Sequence, residues 1–119
     1  MKVSGPKIIL HIEGLAVLLA AVAFYRHLGA SWVTFAVLFL APDLFMFGYL
    51  FGNKSGARIY NSVHTFIGPF LLWAVASILG QPSPMPVCLI WVAHIGFDRL
   101  MGYGLKYATA FKDTHLNRV

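Results

Sequence analysis

Seven histidine, carboxylate and arginine side chains fall inside the apolar runs of this 119-residue sequence: His11, Glu13, Asp43, His64, His94, Asp98 and Arg99. His94 and Asp98 stand four residues apart, a spacing that puts both on one face of a helix. Imidazole nitrogen and carboxylate oxygen are donors that zinc takes in tetrahedral geometry. Asp43 and His64, from two other runs, complete a set of two histidines and two carboxylates. His11 is a further candidate ligand, for the same metal or a second one. Glu13 is a candidate general base. Arg99 is a candidate stabiliser of developing negative charge.

Each residue also has a plainer reading. His11 and Glu13 sit near a helix end, where polar groups are cheap, and Glu13 could snorkel or pair with Lys7. Asp43 follows Pro42 and could relieve a kink. His64 could bond between helices, and His94 with Asp98 could be a structural pair. Arg99 could serve as a counter-charge to the acids. What argues for chemistry is cost. An ionisable group in hydrocarbon costs about 2.5–3.5 kcal/mol even on lenient insertion scales.

The elements that must position these groups are four apolar runs: 8–25, 32–51, 59–79 and 85–107. Each is near the roughly 20 residues that cross a hydrocarbon core as a helix. Turn chemistry separates them, with His27-Leu28-Gly29-Ala30-Ser31, Gly52-Asn53-Lys54-Ser55-Gly56 and Gly80-Gln81-Pro82-Ser83-Pro84 at the breaks. Connections this short predict an all-α, integral membrane, up-down-up-down four-helix bundle in a single domain over 1–119. Hydrophobic residues make up 59% of the chain and charged residues 11%, more apolar than so short a soluble chain could bury. The start, MKVSGPKIIL, is basic then apolar as in a signal peptide. No small-residue cleavage site follows and Arg26-His27 end the run, so a retained first span is expected.

The net charge of +5 forms no nucleic-acid patch, because the basic residues lie between the apolar runs. Lys2, Lys7, Lys54, Arg58, Lys106, Lys112 and Arg118 all fall on one side of a four-span topology, and the other side has only Arg26. The positive-inside rule then predicts cytoplasmic N- and C-termini. Tyr25 and Trp32 are expected at the outer interface, with Tyr60 and Tyr107 at the inner one. Counted at about 1.5 Å per residue from the cytoplasmic ends, His11 and His64 lie roughly 5–8 Å in, Asp43 and Asp98 roughly 13 Å, and His94 near the midplane. All belong to one half of the bilayer. Cys88 is the lone cysteine, which excludes a disulfide framework and a cysteine-based metal site. Gly48 and Gly52 make a small-xxx-small face that would suit a homo-oligomer.

Several of these segments resemble the motifs of small membrane-bound metal-dependent hydrolases. Ala41-Pro42-Asp43-Leu44 is similar to that family's Pro-Asp-Leu-Asp, Val63-His64-Thr65 to its Thr-His-Ser, and His94-Ile95-Gly96-Phe97-Asp98 to its His-x-x-x-Asp. Arg99-Leu100-Met101-Gly102-Tyr103-Gly104 resembles the tail that follows, and Leu10-His11 with Gly14 the opening helix. The ligand order is similar to one zinc site of the zinc-dependent phospholipase C and nuclease superfamily, where an early histidine serves a neighbouring metal. The sequence departs from the pattern at Phe45 or Met46, which stand where the second Asp of Pro-Asp-Leu-Asp would be, and at Tyr60-Asn61. No later His-x-x-x-Glu follows Asp98, which argues against a trinuclear site. As a whole the chain resembles small bacterial four-span membrane proteins grouped as a domain of unknown function.

The resulting expectation is a protein of the bacterial inner membrane holding a divalent metal, zinc by its donor set, as a hydrolase of a lipid or phosphoester at the cytoplasmic leaflet. Two other classes fit the same residues. One is a small transporter of protons or metal ions, since Asp, Glu and His chains relay protons. The other is a structural membrane subunit. The outer halves of the runs carry few polar residues, which counts against a pore.

Overall fold

The computed structural model describes residues 5–102 together with Gly104, Leu105, Thr114 and Leu116, the side chains of residues 45–47 excepted. Lys2, Lys106, Tyr107, Lys112 and Arg118, which carry part of the topology expectation, lie outside the described residues. Every element of regular structure among the described residues is helical: α1 (Gly5–Leu28), α2 (Trp32–Phe39), a 3-10 segment (Ala41–Phe51), α3 (Asn53–His64), α4 (Ile67–Ile78) and α5 (Met85–Met101).

Proline and glycine explain where these elements differ from the four expected runs. The second run is α-helical only to Phe39, because Pro42 has no N–H to give the Leu38 carbonyl and its ring crowds that turn. The chain continues as the eleven-residue 3-10 segment. The third run is not one helix over 59–79. It begins earlier, at Asn53, and is broken between His64 and Ile67 with a bend of 43°. Pro69 is the cause, since its ring and missing N–H fall on the Thr65 carbonyl; Thr65 is accordingly extended, at φ −99° and ψ 151°. The fourth helix ends at Met101 instead of 107. Gly102 caps it in the left-handed region at φ 92° and returns its N–H to the Arg99 and Asp98 carbonyls, a conformation that glycine alone adopts freely.

Two stretches are long and apolar enough to cross a membrane, Gly5–Leu28 with mean hydropathy 2.2 and Trp32–Phe51 with 1.8; the bent α3–α4 pair makes a third if it forms one span. α5 has 17 residues, about 25 Å of helix. The distribution of side chains is inverted relative to a water-soluble domain. Ile9, Leu19, Phe24, Val33, Val37, Leu50 and Ile78 face outward, whereas His64, His94, Asp98 and Arg99 are buried. A water-soluble monomer rarely exposes apolar surface on this scale. These features are consistent with a membrane protein.

α5 is the hub, packing against α1, α2 and α4. Its closest partner is α1, and backbone meets backbone there. A Cβ on Gly14 would stand 2.6 Å from the Leu100 nitrogen and 2.7 Å from the Gly96 carbonyl; one on Gly96 would stand 2.9 Å from the Gly14 carbonyl. Two glycines facing each other let the helices approach this closely. On the other side, α3 packs along the 3-10 segment, with Gly48 against Ile59 and Gly56 against the Tyr49 ring. The Gly48 face is thus used within the chain, and Gly52 serves as the turn into α3 at φ 109°.

Candidate metal centre

The floor of the site is α5. Because His94 and Asp98 are one helical turn apart, both project toward α2 and α3, and their relative exposures are 1% and 6%. α3 brings His64 from its last residue, at 1% exposure. The 3-10 segment brings Asp43 from the opposite wall. One donor atom from each of these four residues lies within 4.8 Å of the other three.

Five of the six distances among the donor atoms are nearly equal. His64 Nε2 stands 3.3 Å from Asp43 Oδ1 and 3.4 Å from Asp98 Oδ2. His94 Nε2 stands 3.3 Å from Asp43 Oδ1 and 3.1 Å from Asp98 Oδ2, and the two imidazole Nε2 atoms are 3.3 Å apart. The sixth pair, the two carboxylate oxygens, stays within the 4.8 Å limit.

His64 is held from behind, whereas the buried His94 Nδ1 has no hydrogen-bond partner of ordinary geometry among the described residues. His64 Nδ1 donates to the Tyr60 carbonyl at 2.8 Å. A carbonyl can only accept, so in the neutral ring the proton sits on Nδ1 and the Nε2 lone pair points into the cluster. The Tyr60 ring stacks on His64 at 3.7 Å and 5°. Arg99 Nη2 donates to the His64 carbonyl at 3.0 Å, and its guanidinium lies 6.0 Å over the Phe66 ring. Trp91 Nε1 donates to the Val63 carbonyl at 2.6 Å, tying α5 to the end of α3. His94 is set edge-on to Phe39 at 5.2 Å, the end of an aromatic row from Tyr25 through Phe35. Asp98 Oδ2 is buried without a hydrogen bond of ordinary geometry. Acceptor lone pairs therefore converge on one point.

Of the seven residues picked out in the sequence, four come together: Asp43, His64, His94 and Asp98. His11 does not join them. Its Nδ1 donates to the Leu100 carbonyl at 2.7 Å, so it ties α1 to the last turn of α5, two residues beyond Asp98. Glu13 is exposed on α1, outside the cluster. Arg99 is buried beside the site and holds the His64 backbone. Sequence reasoning passed over Tyr60 as a support for His64; its position four residues earlier on the same helix was the available signal. Tyr25, expected at the outer interface, is fully buried, its hydroxyl donating to the Ser31 carbonyl.

No curated protein and no solved structure matches this chain, so neither comparison returns a metal-dependent hydrolase, and that resemblance rests on the short motifs alone. A family model does match, over residues 7–119 and hence through every element of the site. The chain belongs to the family defined as domain of unknown function DUF4260.

Proposed function

We propose that this protein is a membrane-embedded metalloenzyme that holds one zinc-like divalent ion through Asp43, His64, His94 and Asp98 and hydrolyses a lipid or phosphoester at the cytoplasmic leaflet. The observation that carries the reading is the spacing of the donor atoms, five pairs at 3.1–3.4 Å. A regular tetrahedron with an edge of about 3.3 Å has its centre about 2.0 Å from each corner, the reach of zinc to imidazole nitrogen and carboxylate oxygen. Four acceptor atoms this close repel unless a cation or protons lie between them, and buried carboxylates are stable only when paired or metal-bound. The bond from His64 to the Tyr60 carbonyl is the support that metal-binding histidines commonly have.

The ion would lower the pKa of a bound water and polarise a phosphoryl or acyl oxygen. Arg99 keeps His64 in place and adds a positive charge beside the site. An apolar groove of about 520 Å³ between α1, α4 and α5 reaches Phe66, the residue that carries the Arg99 guanidinium, and it offers a path for an acyl chain. The arrangement in the bilayer is four crossings, made by α1, α2 with the 3-10 segment, α3 with α4, and α5. The seven basic residues that share one side support a topology with both termini in the cytoplasm.

The test is hydrolysis of phospholipid in mixed micelles by purified protein. Release of headgroup or fatty acid should stop on chelation, return with zinc and be absent in Asp98→Ala. Equal release by parent and Asp98→Ala would contradict the proposal.

A further inference from the structure

The four donors are not alike. Side chains of His64, His94 and Asp98 are 1%, 2% and 9% exposed, but that of Asp43 is 39% exposed. Of the three buried donors, His94 and Asp98 stand on the hub helix α5 itself, and His64 closes α3. Asp43 stands on the 3-10 segment, just after Pro42, with its N–H on the Leu40 carbonyl at 3.1 Å. Such segments have poorer hydrogen-bond geometry than α-helices and rarely run past three or four residues. Among the described residues, the Asp43 carboxylate has no partner besides the two imidazoles. His64, in contrast, is held by a carbonyl, a stacked ring and a guanidinium.

We infer that the metal position occupied by Asp43 is the exchangeable one: His64, His94 and Asp98 hold the ion, and an oxygen or nitrogen donor from water or substrate takes the place of the Asp43 carboxylate. This rests on the metal reading proposed above. Three fixed protein ligands and one replaceable position are the pattern of zinc sites that do chemistry, whereas four fixed ligands are the pattern of zinc sites that only hold a fold. The open side of the site is the Asp43 side. An incoming ligand can reach the ion from there without displacing a buried group.

The experiment uses the full chain in detergent, loaded with Co²⁺ as a coloured substitute for zinc, with azide as the incoming ligand. Asp43→Asn and Asp43→Ala should each keep about one Co²⁺ per chain, with affinity reduced by no more than the about 10–100-fold typical of groups outside the inner ligand set. Azide should change the Co²⁺ spectrum of both, and should bind Asp43→Ala more tightly than the parent because it no longer competes with a carboxylate. Asp43→Asn keeps the size of the side chain, so a folding defect confined to the alanine variant leaves the test intact. Loss of Co²⁺ from Asp43→Asn to the extent seen in Asp98→Ala would overturn the inference, as would azide affinity that is the same with and without the carboxylate. A parent protein that takes up no Co²⁺ would instead contradict the metal reading beneath it.

Discussion

His64 has the most support of any residue in the site. Its ring is bonded at Nδ1, stacked on Tyr60 and buried, and its carbonyl accepts from Arg99. Arg99 is thus predicted to act on stability more than on metal content. Replacing it by alanine leaves the buried His64 carbonyl without that donor, a loss of about 1–3 kcal/mol. Arg99→Ala should therefore melt at lower temperature while keeping its metal, which thermal unfolding with metal analysis of the same sample will show. At this scale the sequence was informative for types and order. Asp43, His64, His94 and Asp98 could be grouped because each was a costly polar residue in an apolar run. Their depths could not be read as well. Counting along straight helices separated His64 from His94, but α3 starts at Asn53 instead of 59 and α5 ends at Met101 instead of 107, so the two residues lie at more nearly equal distances from their helix ends and their Nε2 atoms stand 3.3 Å apart. His11 shares the α5-facing side of α1 with Gly14, yet it is spent on the Leu100 carbonyl.

The elements are set by residues that interrupt periodicity as much as by those that create it. Pro42 and Pro69 both lie inside apolar runs, where composition alone says a helix continues. Their effect depends on the carbonyl four residues back, and reading each proline that way would have located both breaks. The Gly14–Gly96 crossing was less legible, since glycine in an apolar helix carries no sign of what will approach it. That crossing fixes α5, and with it His94 and Asp98, against α1. Gly96→Val puts a branched side chain where even a Cβ would lie 2.9 Å from the Gly14 carbonyl. The helices must separate, at a cost of about 1–3 kcal/mol or more. The variant should show a lower melting temperature and a lower metal content together. A Gly96→Val protein as stable as the parent would mean that α1 and α5 do not meet there.

For the molecule as a whole, the inverted distribution of polar and apolar side chains and the asymmetry of Lys and Arg make a joint prediction. Single cysteines introduced at Lys2, Lys54 and Lys112 in a Cys88→Ala background should react with a membrane-impermeant thiol reagent only from the cytoplasmic side. A cysteine at Gln81 should react only from the opposite side. Labelling of position 81 from the cytoplasm would show that the α3–α4 pair turns back instead of crossing.

The central claim is that the four converging side chains bind metal, and metal content measured on the purified protein tests it most directly. About one zinc-like ion per chain is expected in the parent. Much less is expected in His64→Ala and Asp98→Ala, each with a lower melting temperature, because the binding energy of the ion is part of the folding energy. Chelation of the parent should lower its melting temperature to near that of the variants. A parent free of transition metal, with His64→Ala and Asp98→Ala melting as it does, would contradict the account.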